Sequence, residues 1–162
     1  MSAVFDDIAA FAATLPRDGA LMGLDPGTKG IGIALSDTRR SIATPAETLR
    51  RRNFSNDAAA LLERAAARGA VGIVLGLPRN MDGGEGPRAQ SSRAFARNLS
   101  RLTELAILMW DERLSTVAAE RALLEADASR KRRGELIDSV AAGLILQGAL
   151  DRLAHLGREA AQ

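Results

Sequence analysis

Three short apolar segments joined by two tight turns constrain the fold of this chain more than any other feature of its sequence. The first turn is Pro-Gly-Thr-Lys-Gly at residues 26–30, and the second is a polar turn at residues 37–40. Links this short favour antiparallel neighbours, because parallel strands need a crossover of about a dozen residues or more. The sequence therefore predicts an antiparallel three-stranded meander, with strands over residues 20–25, 30–37 and 42–49.

After residue 53 the pattern changes to helices that alternate with short buried strands. Apolar runs predict strands over residues 71–76 and 106–110. Helical spacing and helix-start residues predict helices over residues 55–68, 87–104, 116–126 and 134–156. Ser55 or Asn56 is the expected cap of the first of these helices, and Ser115 that of the third. One more amphipathic helix is predicted ahead of the meander, over residues 4–15.

These elements predict an α/β fold with a mixed five-stranded sheet, in which a three-stranded antiparallel meander adjoins two parallel strands and helices flank the sheet. The first, fourth and fifth strands can lie parallel and adjacent. Residues that are far apart in sequence would then meet at their carboxyl edge, where open α/β sheets bind ligands. We expect a helical extension at residues 1–18, one domain at residues 19–156 and a tail at residues 157–162.

The composition narrows the possible chemistry. The 162 residues include no cysteine and a single histidine, His155, which argues against disulfides, thiolate metal sites and imidazole catalysis. Any bound metal would therefore have oxygen ligands. No window is apolar enough to span a bilayer and the first residues do not resemble a signal peptide, so we expect a cytoplasmic protein. The glycine-rich phosphate motifs of nucleoside-triphosphate enzymes are absent as well.

Three carboxylates interrupt or end apolar runs, at Asp25, Glu112 and Asp138. A carboxylate in such surroundings is costly unless it is paired or binds a cation. Asp25 and Glu112 follow two of the predicted parallel strands. Asp138 shares a helix face with small residues that would let the helix approach the sheet. The three are therefore candidate metal ligands at the carboxyl edge of the sheet.

Each carboxylate also has an ordinary structural explanation. Asp25 precedes Pro-Gly, which is common in turns. Glu112 could pair with the arginine that follows it, and Asp111 competes with it because consecutive strand residues face opposite sides. Asp138 could lie in the first turn of a helix, where the helix dipole stabilises it, or pair with Arg132 or Arg133. The residues alone leave these alternatives open.

Carboxylate ligands without histidine or cysteine suit Mg²⁺ or Mn²⁺, which retain several waters and let a substrate phosphate complete the coordination shell. Two such ions can assist the in-line displacement that cleaves a phosphodiester bond. Asp25, Asp138 and Glu112, with Asp111 as the alternative to Glu112, are accordingly the candidate catalytic and metal-binding residues.

The positive charge of the chain is almost all arginine and occurs in clusters, although the net charge is only +2. Arginine suits phosphate oxygens, but a solvated surface explains such clusters equally well. The glycine-rich loop at residues 76–87 could present backbone N–H groups to an anion, or it could be a plain connection. The predicted nucleic-acid contacts are Lys29, Arg79, Asn80, Arg113, Arg130, Lys131, Arg132 and Arg133.

Four sequence blocks, in order over roughly residues 20–150, resemble the YqgF family. This family is described as pre-16S ribosomal RNA nucleases and as Holliday-junction-resolvase-like proteins of the RNase H fold. The blocks are Gly-Leu-Asp-Pro-Gly-Thr-Lys at 23–29, Gly-Leu-Pro-Arg-Asn-Met-Asp-Gly at 76–83, Asp-Glu-Arg-Leu-Ser-Thr at 111–116 and Ile-Asp-Ser-Val-Ala-Ala at 137–142. The resemblance implies that Asp25, Glu112 and Asp138 form an acidic metal-binding triad, and it selects Glu112 over Asp111. Gly30 and Ser115 depart from the family pattern and leave the acids intact.

The resemblance also implies a function. It indicates a Mg²⁺- or Mn²⁺-dependent nuclease of RNase H-like fold that processes the 5′ end of the small-subunit (16S) ribosomal RNA precursor. The same acids would serve a Holliday-junction-type DNA resolvase, which usually acts as a dimer because its junction is symmetric. A third reading is a ribosome-assembly factor that binds RNA without cleaving it, mainly through phosphates because aromatic residues are scarce. The expected partners are precursor rRNA or branched DNA, and both a monomer and a homodimer are compatible with the sequence.

Overall fold

The structure, a computed structural model, describes residues 1–115, 123 and 130–161, with the backbone alone for residues 130–136. One sheet contains the strands β1 (Val4–Phe5), β2 (Ala20–Pro26), β3 (Gly30–Ser36), β4 (Ala43–Arg50), β5 (Ala70–Leu77) and β6 (Ala106–Asp111). The helices described are α1 (Ile8–Thr14), α2 (Phe54–Ala67), α3 (Pro87–Ser100) and α4 (Arg130–Ala160), with a short 3₁₀ helix at Glu112–Leu114. The strand order β1-β6-β5-β2-β3-β4 confirms the predicted mixed α/β sheet.

The predicted three-stranded meander is confirmed. β3 pairs antiparallel with β2 on one side and with β4 on the other. A hydrogen bond from the Gly27 N–H to the Gly30 carbonyl oxygen, at 2.9 Å, closes the first turn. In the second turn, the carboxylate of Asp37 accepts hydrogen bonds from the N–H groups of Ile42 and Ser41, at 2.9 and 2.8 Å, and these bonds lower its pKa.

The predicted arrangement of parallel strands is also confirmed. β5 lies between β2 and β6 and is parallel to both. Leu24 of β2 pairs with Leu75 of β5, and Leu77 of β5 pairs with Asp111 of β6. The three strands therefore end at one edge of the sheet, and the residues that follow them are neighbours in space.

The prediction of five strands was wrong, because the sheet contains a sixth strand at its edge. Val4–Phe5 form β1, which runs parallel to β6. The helix predicted over residues 4–15 is accordingly shorter, and α1 begins at Ile8 with Asp7 as its cap. Two residues are too few to show the two-residue period of a strand, and Phe5 also fits the helical spacing. The division of the chain at residue 18 stays a prediction.

Other helix boundaries differ by a few residues. The side chain of Asn53, rather than Ser55 or Asn56, caps α2 by accepting a hydrogen bond from the Asn56 N–H at 2.9 Å. α3 ends at Ser100 rather than at residue 104. α4 begins at Arg130, so Gly134 lies inside the helix, where a glycine costs only about 1 kcal/mol relative to alanine. The helix predicted over residues 116–126 lies outside the described residues.

The sheet separates two apolar layers. α2 and α3 cover one face, where Leu61 and Leu99 are packed with Leu24. α1 and α4 cover the other face, where Phe11 and Ile145 belong to a second buried cluster. Because strand residues alternate between faces, the neighbours of Leu24 along β2 point toward the α4 side. In the described part of the chain, no helix is long and apolar enough to cross a membrane.

Glycines let α4 approach the sheet very closely. A Cβ added to Gly32 would lie 1.8 Å from the carbonyl oxygen of Asp138, and one added to Gly23 would lie 2.7 Å from Cβ of Leu146. A Cβ on Gly76 would lie 2.6 Å from Cδ1 of Ile145. We name Gly23, Gly32 and Gly76 the glycine seam. At Gly32 the neighbour is backbone, so no side-chain rotation could relieve the contact.

Replacing Gly32 by alanine is expected to destabilise the fold, because the new Cβ would overlap the backbone of α4. Overpacking costs about 1–3 kcal/mol where side chains can adjust, and we expect the upper end or more here. Each kcal/mol lowers Tm by about 2–4 °C in a chain of this size. Thermal unfolding followed by circular dichroism measures the change.

Gly157→Ala is the matched control for that substitution. Among the described residues, no atom outside the surrounding helix backbone lies within 4 Å of its added Cβ, and alanine favours a helix more than glycine does. Its Tm should stay unchanged or rise. A Tm of the Gly32 variant equal to that of the control would contradict the close contact at the glycine seam.

Candidate active site

Asp25 lies one residue before the end of β2, and only 4% of it is exposed. It is the direct partner of Gly32 across the antiparallel pair of β2 and β3, so both residues lie on the same face. Because Gly32 contacts the backbone of Asp138, that face is the one covered by α4. Asp138 therefore lies beside the cross-strand partner of Asp25.

The carboxylate of Asp138 is directed toward the turn between β2 and β3, and the residue is half-buried. Its Oδ2 lies 3.0 Å from the position that a Cβ on Gly30 would take, and its Oδ1 lies 3.3 Å from that of Gly27. Glycine thus leaves space around this carboxylate at both ends of the turn. The alternative pairing with Arg132 or Arg133 involves side chains outside the described residues.

Glu112 follows β6 directly and is 9% exposed. Its Oε2 lies 3.1 Å from the position that a Cβ on Gly76 would take. Gly76 directly follows Leu75, the residue of β5 that pairs with Leu24. Gly76 of β5 is consequently next to Asp25 of β2, and Glu112 approaches Gly76 from the end of β6. Asp25, Glu112 and Asp138 all lie at the carboxyl edge on the α4 side, and each takes part in a hydrogen bond or electrostatic interaction.

Asp111 has a different environment from its neighbour Glu112. Its carboxylate accepts hydrogen bonds from Arg113, with Nη2 to Oδ2 at 2.7 Å and Nε to Oδ1 at 3.1 Å. The hydrogen bonds from Arg113 lower the pKa of Asp111. Partial burial opposes this effect, and the charge of Arg79 adds a smaller lowering. The surface pair that the sequence allowed for Glu112 is thus formed by Asp111. Asp111 is therefore paired with Arg113, whereas Glu112 lies beside Gly76.

The donor set fits a hard cation in part. The candidate ligands are carboxylate oxygens, two of the three residues are buried, and the adjacent glycines leave room at the oxygens. Within the described residues, however, no three acidic or histidine side chains already form a group able to hold a metal ion. Mg²⁺ commonly uses one or two protein carboxylates and takes its other ligands from water and substrate. The arrangement therefore fits a partly protein-bound cation rather than a closed structural site.

Arg79, predicted to contact nucleic acid, is engaged by groups of the protein itself. Its Nη2 donates to Oε2 of Glu85 at 3.1 Å, and its Nη1 lies 3.8 Å from Oδ2 of Asp111. Arg93 donates to the same carboxylate of Glu85, with Nη2 to Oε2 at 2.8 Å. Arg93 and then Arg79 lower the pKa of Glu85 to about 2. This ion network, Arg79–Glu85–Arg93, ties the glycine-rich loop to α3 and to the end of β6.

The other predicted nucleic-acid contacts differ in exposure. Lys29, in the turn between β2 and β3, and Asn80, after β5, are exposed near the carboxyl edge. The backbone of Asn80 also shapes the loop. Its N–H donates to the carbonyl oxygen of Gly84, and its carbonyl oxygen accepts from the N–H of Gly83, both at 2.9 Å. Arg113 is occupied by Asp111. The side chains of Arg130, Lys131, Arg132 and Arg133 lie outside the described residues.

The structure places another set of polar residues beside Asp25 that the sequence did not single out. Arg51, Arg88, Ser91 and Ser92 line a small cleft together with Asp25 and Thr28. The run of three arginines at residues 50–52 was a visible signal. It did not show which of the three turns toward the site, because that depends on how the chain leaves β4.

A family model for Holliday junction resolvases, RuvX, matches residues 19–152. The chain belongs to the RuvX family. This result confirms the family expected from the four sequence blocks. A relative in Rhodobacter capsulatus, named "Putative pre-16S rRNA nuclease", is 72% identical over 91% of this chain and 93% of its own length. A relative of the same name in Paracoccus denitrificans is 66% identical over 96% of this chain and 98% of its own length.

Two solved structures share the fold. A RuvC of T. thermophilus in complex with a Holliday junction substrate is 10% identical, with a TM-score of 0.53 over 84% of this chain and 96% of that chain. A second structure of Thermus thermophilus RuvC is 14% identical, with a TM-score of 0.51 over 85% of this chain and 96% of that chain. At these identities the comparison establishes the RuvC- and RNase H-like fold alone.

The ion network predicts a pH-dependent effect of Glu85→Gln on stability. A carboxyl group whose pKa is lowered in the folded state contributes stability above its unfolded pKa of about 4.3. That contribution is lost as the pH falls toward about 2. The variant should therefore have a lower Tm than the wild type at neutral pH, and the difference should shrink below about pH 4. Calorimetry over a pH series measures it.

Glu63→Gln provides the control for this series. Glu63 is exposed on α2 and forms no ion pair with the described residues, so the substitution should leave Tm nearly unchanged at every pH. A Glu85 variant whose Tm follows that of the control from neutral to acid pH would show that the network does not stabilise the loop.

Proposed function

We propose that this chain is a metal-dependent nuclease that hydrolyses phosphodiester bonds, with the 5′ end of the 16S ribosomal RNA precursor as its substrate in the cytoplasm. The supporting observation is that Asp25, Glu112 and Asp138 lie on one face at the carboxyl edge of the sheet. Membership of a family described as Holliday junction resolvases supports nuclease chemistry. The names of the relatives support the choice of substrate.

Asp25, Glu112 and Asp138 are the residues we propose to hold Mg²⁺ or Mn²⁺. When bound, such a cation would supply Lewis acidity, which favours ionisation of water and neutralises charge on the phosphate in the transition state. The protein's part is to keep these oxygens in place. Burial of Asp25 and Glu112 restricts their side chains, and the glycines of the turn and of β5 keep the space at the oxygens open.

The charge around the acids fits a polyanionic substrate. Exposed Lys29 stands in the turn next to Asp25, and exposed Asn80 offers amide hydrogens from the loop after β5. Arg79 acts as a positioning residue in this proposal, because its guanidinium is held by Glu85 and Asp111. Arg130, Lys131, Arg132 and Arg133 precede Asp138 in the sequence, and we include their positive charge in this proposal.

A DNA junction resolvase is the second candidate, favoured by the description of the family model. It would use the same carboxylates, and it would act as a homodimer because a four-way junction is symmetric. The first candidate needs no dimer. Cleavage assays on precursor RNA and on four-way DNA, with the mass of the protein measured by light scattering, distinguish the two.

Asp25→Asn is expected to lower the rate of cleavage of a 16S precursor fragment in Mg²⁺ by about 100-fold or more, because the substitution removes a charged ligand without changing the shape of the side chain. Asp18→Asn is the matched control. Asp18 is exposed just before β2, at the opposite edge of the sheet, and the net charge changes equally. Gel analysis of end-labelled RNA measures both rates.

The same assay tests whether cleavage occurs at all. Equal cleavage by the Asp25 variant and its control would rule out the proposed role of Asp25. Salt-sensitive RNA binding that survives loss of the three acids, without cleavage in Mg²⁺ or Mn²⁺, would instead identify an assembly factor that only binds RNA.

Cells that carry Glu112→Gln are expected to accumulate 16S precursors with unprocessed 5′ ends, since the neutral amide cannot replace a carboxylate ligand. Asp111→Asn tests the adjacent acid in the same way and should affect processing less. Primer extension maps the RNA ends, and immunoblotting verifies equal protein levels. Mature ends in the Glu112 strain at normal protein level would argue against the processing role.

A further inference from the structure

A small cleft of about 60 Å³ opens directly beside Asp25. It lies between the turn after β2 and the first part of α3, and two arginines and three hydroxyl groups line it. These residues are Arg51, Arg88, Thr28, Ser91 and Ser92. None of these five residues is a nucleic-acid contact predicted from the sequence, and the acids proposed to hold the metal do not require them.

Arg51 is fixed in position on three sides. Its Nη1 donates to the carbonyl oxygen of Gly27 at 2.8 Å, and its Nε lies 4.0 Å from Oδ2 of Asp57. Its guanidinium carbon stands over the ring of Phe95, 5.6 Å from the centroid. Asp57 is itself only 3% exposed, so this anchor is inside the protein. The Nη2 group of Arg51 donates no hydrogen bond to the described part of the chain, so donor capacity remains.

Ser92 supplies a second and independent indication of a ligand. Only 5% of the residue is exposed, yet it lines the cleft. Its hydroxyl forms no hydrogen bond with the residues that the structure describes, and because Ser92 lines the cleft the hydroxyl can donate to a group bound there. Ser92 lies on α3, which begins at Pro87 and has no side-chain cap at its N-terminus. Arg88, in the first turn of this helix, also lines the cleft, so the positive end of the helix dipole lies beside it and favours an anion there.

We propose that this cleft binds a backbone phosphate of the nucleic-acid substrate next to the phosphodiester that is hydrolysed. The inference rests on the proposed nuclease function and adds a subsite to it. Arg51 would donate through Nη2, Ser92 through its hydroxyl, and exposed Arg88 would close over the phosphate. A preorganised guanidinium loses little side-chain freedom on binding, which makes Arg51 suited to a phosphate.

The size and composition of the cleft select a phosphate over a base. The space is too small for a nucleobase, and the ring of Phe95 is already covered by Arg51. Asp25 also lines the cleft, and its negative charge would repel a phosphate. A divalent cation beside Asp25 would reduce that repulsion, so binding in the cleft should become stronger when Mg²⁺ or Ca²⁺ is present.

The test measures binding of a fluorescein-labelled, single-stranded 16S precursor fragment by the full chain in Ca²⁺ and in EDTA, at several salt concentrations. Arg51→Gln and Arg88→Gln are each expected to raise Kd by about 10-fold. The slope of log K against log salt should become shallower by about 0.7 for each phosphate that the variant no longer neutralises. Ser92→Ala should raise Kd less, since it removes one neutral donor.

Arg39→Gln is the matched control, because Arg39 is exposed in the turn between β3 and β4 at the opposite edge of the sheet. It removes the same charge and should leave Kd and slope nearly unchanged. Arg51→Lys should recover part of the affinity, since a lysine keeps the charge without the planar fork. Tm is measured for every variant.

The possible results separate this proposal from the proposed function. If the wild type neither binds nor cleaves the fragment or a four-way DNA junction, the nuclease proposal itself fails. If the wild type binds but the Arg51 and Arg88 variants keep the Kd and slope of the Arg39 control, the subsite is overturned and the nuclease proposal stands. Should Arg51→Gln also lower Tm, Arg88→Gln decides, because Arg88 is exposed and contacts no described residue through a hydrogen bond or ion pair.

Discussion

The packing of α4 against the sheet is the contact on which the candidate site depends. Its apolar face, with Ala141, Ala142 and Ile145 at most 1% exposed, is pressed onto strands that have glycine at the crossing points. Burial of this surface holds the helix in place, and the missing Cβ atoms set how close it comes. Asp138 sits one turn before this apolar stretch. Its distance from Asp25 is thus fixed by van der Waals contact between backbones, which is stiffer than any contact between long side chains.

Some arginines of this chain bind carboxylates of the protein itself, and others keep N–H groups available for a ligand. Their clustering in the sequence does not show which arginines belong to which group. Arg79 and Arg93 share the carboxylate of Glu85 and hold the loop after β5. Arg51 uses part of its guanidinium on Gly27 and keeps part for the cleft. Arg88 is exposed. Arg79 also approaches Asp111, and Arg93 also pairs with Asp6, so carboxylates balance the charge of the arginines that order the loop.

The sheet edge could be predicted because its signals are local and periodic. Short turns produced the meander, apolar runs marked β5 and β6, and costly carboxylates pointed to Asp25, Glu112 and Asp138. β1 could not be found, since two residues carry no period and gain their pairing from β6 across a hundred residues of chain. The ion pairs of Arg79 could not be foreseen for a similar reason. Its partners Glu85 and Asp111 are set by how the loop folds back, which no spacing rule describes.

The aromatic residues bear on how the site could choose a substrate. The chain has four phenylalanines and one tryptophan, and all of them lie in the described region. Phe11, Phe95 and Trp110 are buried, and the other two are at least partly covered, so none stands exposed as a stacking platform for a base. Where arginine, lysine, hydroxyl and backbone groups contact phosphates, they read phosphate positions and not base identity. Under the two proposals above, selectivity comes from the shape of the nucleic acid, since only a backbone that places one phosphate at the acids and the next in the neighbouring cleft would satisfy both.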